Sequence, residues 1–212
     1  MPTPGDVDFP QPTGRKSDPP QIAKLRQDLS VSSELHRNRL FSFATTWGLF
    51  SPRDIDAGTD LLLKLFQAEP DHDSLDLGCG YGPIACALAA DSPQGRVTAI
   101  DRDYLAVHYT RLNAERNGLP NVTATLGHGL STLPPEQKFH NIVSNLPAKV
   151  GGELLSVIVH DAYQHLHPGG RFCVVTITGL RQFIKRHLQD VFGNYDKLKQ
   201  SPAYTVAIAV KS

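Results

Sequence analysis

The chain has 212 residues, enough for one catalytic domain with a full core, and its 21 Lys plus Arg balance 21 Asp plus Glu, so no global field draws it to nucleic acid or a membrane surface and any polyanion partner must be held by a local patch. Cys79, Cys86 and Cys173 lack the paired spacing or neighbouring histidines of a zinc site, so no metal is expected and reduced thiols in a cytoplasmic compartment fit best. No apolar run approaches the roughly 20 residues that span a bilayer, and residues 1–20 show neither a secretory nor a transit pattern, so no membrane role is expected.

In chain order, Pro2, Pro4, Pro10, Pro12, Pro19 and Pro20 leave little to bury and remove backbone donors, which predicts a disordered tail over residues 1–21. Residues 22–70 read as an N-terminal strand and helix extension packed on the core. Leu35, Leu40, Phe41, Phe43, Trp47, Leu49 and Phe50 fit short strands with a turn at Trp47-Gly48, and Leu61, Leu62, Leu63, Leu65 and Phe66 fit a helix over about residues 56–68.

The main domain is expected over residues 71–212. Short apolar runs at 74–77, 96–100, 122–126, 139–144 and 171–176 alternate with helical periods near 82–90, 104–117 and 152–166, the last closed by Pro168-Gly169-Gly170. A further helix over about 180–192 has Leu180, Phe183, Ile184, Leu188 and Val191 on one side and Gly193 beyond its end. Strands near 195–199 and 204–210 follow too closely for a crossover and predict an antiparallel hairpin. The fold class is therefore α/β, with a doubly wound, mostly parallel seven-stranded sheet, a C-terminal antiparallel hairpin and a short N-terminal β/α extension.

The strand ending at Asp76-Leu77 runs into Gly78, Gly80 and Gly82 and then an apolar helix, a geometry that lets a ligand rest on bare backbone at a helix N-terminus. A dinucleotide fingerprint puts its third glycine three residues after the second. Here the spacing is GxGxG, which implies a ligand without pyrophosphate, presenting an amino-acid moiety and a nucleoside. Asp101, ending the next strand, lies near the spacing at which a carboxylate accepts both ribose hydroxyls. The plainer alternative, in which Asp76 and Asp101 only cap helices and the glycines only permit tight packing, does not by itself account for strand, turn, helix, strand and acid in that order.

These residues resemble the class I S-adenosylmethionine-dependent methyltransferases over about half of the chain, from Asp76 to about Thr178, and the resemblance implies a Rossmann-like fold with S-adenosylmethionine as cofactor. It implies that Asp76, Gly78 and Gly80 hold the methionine end and Asp101 the ribose, with Cys79, Gly82, Arg102 and Gly129 completing the pocket. His128 falls where many members place an aspartate that reads the adenine amine.

The run Asn145-Leu146-Pro147-Ala148 follows the fourth strand and resembles the Asn-Pro-Pro-aromatic motif of methyltransferases that modify exocyclic amines. The resemblance makes Asn145, Leu146 and Pro147 the catalytic segment, with Asn145 also facing the cofactor. Leu146 replaces the first proline and Ala148 the stacking ring, for which Trp47, Phe50 and Tyr81 are the candidate substitutes. A plain turn leaving a buried strand is the alternative.

Lys149-Val150-Gly151-Gly152-Glu153 and the upstream Phe50-Ser51-Pro52 and Asp56-Ala57-Gly58-Thr59 are similar to the small-domain ribosomal RNA methyltransferases, including guanine-N2 enzymes. That resemblance implies RNA, from ribosomal RNA or a ribosomal subunit, as partner, Lys149 at the substrate and Gly58 and Thr59 lining the cofactor pocket. Glu153 fits a helix-dipole role at least as well as a site role.

His36, Arg37, Arg39, Arg53 and Lys149 would form a phosphate patch if the N-terminal segment covers the strand ends. Arg181, Lys185, Arg186 and His187 suit an ordinary exposed helix face as well as a second basic stretch. His160, His165 and His167 lack metal spacing. The leading expectation is an RNA amine methyltransferase acting on ribosomal guanine N2. The alternatives are a methyltransferase for a protein amide or small amine, and an inactive cofactor-binding module that recognises RNA or a partner.

Overall fold

A parallel strand covered by helices on both faces has no solvated side, and Ser74–Leu77 shows this: all four residues are buried. In the computed structural model, which describes residues 19–25, 27–35, 39–148 and 150–212, this strand is β3. The preceding elements are α1 (Pro20–Leu25), β1 (Leu29–Leu35), β2 (Arg39–Thr45) and α2 (Ala57–Leu65). Those after it are α3 (Pro83–Asp91), β4 (Val97–Asp101), α4 (Tyr104–Arg116), β5 (Val122–Leu126), β6 (Phe139–Asn145), α5 (Gly152–Gln164), β7 (Leu166–Ile177), α6 (Arg181–Phe192), β8 (Asp196–Gln200) and β9 (Tyr204–Val210).

The main sheet has the order β5-β4-β3-β6-β7-β9-β8. Its first five strands run parallel and β9 joins antiparallel to both β7 and β8. Strand order reverses between β3 and β6, and at such a switch the chain ends of the strands open a crevice. Asp76, Asp101 and Asn145 stand at those ends. One face of the sheet buries Phe43, Leu62, Ala85, Val143 and Val206 beneath β2, α2, α3 and α4; the other buries Ile142, Leu155, Phe172 and Leu188 beneath α5 and α6.

In the N-terminal extension, β1 and β2 pair antiparallel from Leu29↔Thr45 to Leu35↔Arg39; residues 36–38 lie outside the described residues, and the expected turn at Trp47-Gly48 is present, where the chain leaves β2. Gly48 there has φ +102°, open to glycine without strain. Of the expected tail, residues 1–18 lie outside the described residues, and Pro20 and Gln21 begin α1, where proline suits a first turn that lacks intrahelical donors anyway.

The hairpin docks on α4 through two asparagines a turn apart. Asn113 Oδ1 accepts from the Ala44 amide (2.7 Å) while its Nδ2 donates to the Ala44 and Tyr81 carbonyls (2.9 and 2.8 Å). Asn117 pairs in the same way with the amide and carbonyl of Ser42 (3.0 and 2.9 Å). The amide side chains thus imitate a neighbouring strand and satisfy the open edge of β2.

A difference from the expected layout lies at Pro168-Gly169-Gly170, which does not close α5. The helix ends at Gln164, and β7 starts at Leu166. Its pairing shifts register between Phe139↔Leu166 and Asn141↔Arg171, with Gly169 at φ +76°, so the segment is an irregularity inside a strand. Among the described residues, no helix is long and apolar enough to cross a membrane.

Candidate active site

One side of the crevice, at the glycine turn, is made from backbone. Gly78, Gly80 and Gly82 have φ of +77°, +57° and +95°, values that favour glycine. A Cβ added to Gly78 or Gly80 meets no heavy atom within 4 Å, whereas one on Gly82 comes within 3.1 Å of the Thr110 side chain. The first two glycines therefore border open space, and the third packs against α4. The turn is held from behind by Gly78 N and Cys79 N donating to the Ile100 carbonyl (2.8 and 3.1 Å) and by Thr110 Oγ1 donating to the Gly80 carbonyl (2.9 Å). Cys79 turns its thiol inward to Thr110, and burial pushes that thiol well above its usual range. Only its backbone faces the crevice side of the turn.

Asp76 is fully buried. Its Oδ2 accepts from Ala85 N in the first turn of α3 (2.9 Å), and Oδ1 has no protein partner. Burial raises its carboxyl to about 8, with Asp101 adding to the effect. An unpartnered oxygen in a sealed position is costly, and a cationic hydrogen-bond donor would relieve it. Asp101 spends one lone pair of Oδ2 on Gly80 N (3.0 Å) and one of Oδ1 on Asp103 N (2.9 Å), which fixes the carboxylate and leaves each oxygen further acceptor capacity. Arg102 and His128 are exposed beyond the ends of β4 and β5, and Gly129 begins a short 3-10 turn at φ +68°. No hydrogen bond among the described residues ties Arg102 or the His128 ring into the crevice.

The other side, around Asn145, is made from side chains. Asn145 Nδ2 donates to Asp56 Oδ2 (2.9 Å) and Thr59 Oγ1 (3.0 Å). With both amide hydrogens used, its Oδ1 is left with no partner among the described residues. Asp56 caps α2, accepting from Gly58 N and Thr59 N (2.9 and 3.1 Å), and its Oδ1 accepts from the Tyr204 hydroxyl of β9 (3.1 Å). Gly58 must lack a side chain here, because a Cβ would sit 2.8 Å from the Tyr204 ring and 2.9 Å from Asp56 Oδ2.

Asp56 and Tyr204 were not expected as site residues. The helix-start pattern at Asp56 was visible, but nothing local links it to Asn145. Gly58 and Thr59, expected to line the cofactor pocket, are part of this anchor. Leu146 is buried and donates its amide to the Val175 carbonyl (3.0 Å), while Pro147 and Ala148 are exposed.

Of the three candidate rings, Tyr81 is unavailable for stacking on a ligand: it is buried edge-on to Phe43, and its hydroxyl donates to the Asp54 carbonyl (3.2 Å). Trp47 lies under the Arg53 guanidinium, 4.7 Å from the ring centroid. Phe50 is 65% exposed and precedes Ser51, the one non-glycine at positive φ (+47°) among the described residues. His36, Arg37 and Lys149 lie outside the described residues.

Comparison with known proteins identifies the family. The family described as methyltransferase small domain matches residues 41–208. The uncharacterized protein YbxB of Bacillus subtilis is 30% identical over 199 residues, covering 92% of this chain and 96% of its own. Ribosomal RNA small subunit methyltransferase C of Pseudomonas putida is 37% identical over 145 residues, 63% of this chain and 41% of that protein. Among solved structures, the T. thermophilus 16S rRNA N2 G1207 methyltransferase in complex with AdoMet and guanosine superposes with a TM-score of 0.76 at 28% identity, over 86% of this chain and 50% of that one. The chain therefore spans half or less of each of these two RNA methyltransferases.

Proposed function

This chain belongs to the methyltransferase small domain family, and from that premise we propose that it binds S-adenosylmethionine between Asp76 and Asp101 and methylates an exocyclic amine of ribosomal RNA, guanine N2. The observation that carries the acceptor class is Asn145: its Nδ2 is tied down by Asp56 and Thr59, so its Oδ1 is presented as an acceptor.

The residues present suit the cofactor. The orphaned Asp76 oxygen fits a methionine ammonium, the open face of Gly78 and Gly80 fits a ligand lying on backbone, and Asp101 fits a ribose diol. When bound, the cofactor supplies an electrophilic methyl on a sulfonium.

A guanine amine is conjugated and a poor nucleophile. Asn145 Oδ1 and the Leu146 carbonyl would accept its two hydrogens, drawing the lone pair out of the ring system and orienting it. The charge that develops on nitrogen is stabilised by the same oxygens, already fixed before reaction. One amine proton is finally lost to water, so a general base with a tuned pKa is not required. Phe50, exposed on the segment leading into Asp56, is the ring assigned to stack on the base in place of Ala148.

Unmodified small-subunit RNA incubated with the protein and methyl-labelled cofactor should yield N2-methylguanosine by nucleoside mass spectrometry. Asn145→Ala should slow turnover by about a hundredfold or more while cofactor affinity, measured by calorimetry, stays within twofold. Label on protein amide or a small amine alone rejects the RNA assignment, and cofactor binding without any turnover rejects catalysis.

A further inference from the structure

A second concave site lies away from the crevice, between α6 and the edge strand β8. Its cavity, of about 320 Å³, is lined by Arg181, Gln182, Lys185, Tyr195 and Lys197. Arg181 and Lys185 stand one turn apart on α6, while Lys197 comes from β8. Lys185 Nζ is 6.0 Å from the centroid of the Tyr195 ring. Burial raises the Tyr195 phenol, and the Arg181 guanidinium acts on it in the opposite direction, which sets Arg181 near the same ring.

Among the described residues no carboxylate forms an ion pair with these charges; the ion pairs are Lys64–Asp60 and Arg96–Asp73, both elsewhere. Asp196 pairs with Ile208, which packs on the α2 and α3 face of the sheet, whereas Lys197 pairs with Ala207 on the α6 face. Asp190 is five residues from Lys185, outside the i, i+3 and i, i+4 positions that meet on a helix. Lys197 Nζ donates to the neutral Gln200 Oε1 (3.2 Å), so in a chain with no net charge the three cations around one hollow keep their mutual repulsion, an arrangement that favours an anionic ligand.

The sheet register relates this hollow to the crevice. Asn145 pairs with Val175, Val175 with Val206, and Val206 with Lys199, so β8 is three strand spacings from Asn145 at the same height, about 14 Å at 4.7–4.9 Å per strand. Arg181 begins α6 just after β7 leaves the sheet at Ile177, on the edge where Asn145 stands.

We propose that the α6–β8 hollow is a phosphate site that grips the backbone of the RNA acceptor a short distance from the methylated base. This rests on the reading of the acceptor as RNA. Phosphate contacts position a nucleic acid without reading its sequence, so the hollow would fix strand orientation while Asn145 selects the amine.

The test is RNA binding by the full chain, using a fluorescein-labelled hairpin of unmodified small-subunit RNA followed by anisotropy across a salt series. The double variant Lys185→Glu/Lys197→Glu should bind about tenfold more weakly, and the slope of log affinity against log salt should fall by roughly 0.7 per lost phosphate contact. Cofactor affinity and melting temperature should not change. The conservative Lys185→Arg/Lys197→Arg variant should restore RNA binding.

Unchanged affinity and slope in the charge-reversed protein overturn the proposal. Inorganic phosphate and a mononucleotide form the second arm: saturation of amide shifts around Tyr195 by either one at sub-millimolar concentration, with RNA affinity insensitive to the reversal, assigns the hollow to a free anion and also overturns it. Because binding is read without turnover, a protein that transfers no methyl yet loses RNA on charge reversal refutes the catalytic reading and leaves this one standing.

Discussion

On the donor side of the crevice, Asp76 reaches Ala85 nine residues ahead and Asp101 reaches Gly80 twenty-one residues back. On the acceptor side, Asn145 is held by Thr59 and Asp56 across 86 and 89 residues, and Asp56 is held in turn by Tyr204 across 148. One pocket is a local property of a strand, a turn and a helix. The other exists only when α2, β6 and β9 are already assembled. A cofactor turn of this kind can therefore be carried between proteins as a continuous segment, while the acceptor site has to be rebuilt from distant parts.

The comparison is open to attack, starting at the support behind the glycine turn. Asn113 serves the hairpin and the glycine turn together, and Asn113→Ala orphans the Ala44 amide and the buried carbonyls of Ala44 and Tyr81. Urea denaturation should show a loss of about 3 kcal/mol, with both ligand sites impaired. Gly82→Val strikes the donor side alone. Its positive φ and the approach of Thr110 should cost about 1–3 kcal/mol and weaken cofactor binding by calorimetry, while the Asn145–Asp56 contact survives.

Asp56→Ser should do the opposite. Serine still caps α2 but is too short to reach Asn145, so kcat should fall about tenfold, equivalent to roughly 1.4 kcal/mol, at unchanged cofactor affinity. An unchanged kcat would show that the anchor is not used.

Asp76 adds a pH signature. Burial holds its carboxyl near 8, and a cationic ligand favours the ionised form, so cofactor binding below that pH should release a proton and tighten as pH rises toward 8. The unliganded protein should lose stability over the window from about 4 to 8, because there the unfolded state binds fewer protons than the folded one. Calorimetry in buffers of different ionisation heat should detect the proton, and Asp76→Asn should abolish both trends. Tyr204→Phe removes one hydrogen bond to a carboxylate that keeps three others, and its effect on kcat should be the smallest, about two- to threefold.

The same division explains what could be read from sequence. β3, the glycine turn, α3 and β4 carry their own instructions: an apolar run, residues that tolerate positive φ, a buried alanine-rich helix and an acid at a fixed interval. Asn145 was visible as a polar residue ending a buried strand. Its partners were not, because Asp56 looks like any helix cap and Tyr204 like any strand residue. Pro168-Gly169-Gly170 reads as a helix stop because those residues end helices by the same φ and donor properties that produce a strand irregularity. The turn at Trp47-Gly48 is legible because glycine marks a bend, although the residue does not say which strands lie on either side. Tyr81 was offered as a stacking ring because burial against Phe43 depends on the hairpin, which docks through Asn113 and Asn117, two asparagines that resemble ordinary helix surface residues until β2 is beside them.

The tie from Asp56 to Tyr204 also sets a schedule during synthesis. At elongation rates of about 5–20 residues per second, the 148 residues between them take roughly 7–30 s to make. The segment from β3 to β4 is made early in that interval, ending at Asp101, while Asp56 waits for its last partner until Tyr204 has been added. A nascent chain thus has its glycine turn in hand well before the hydrogen-bonded group around Asn145 can close.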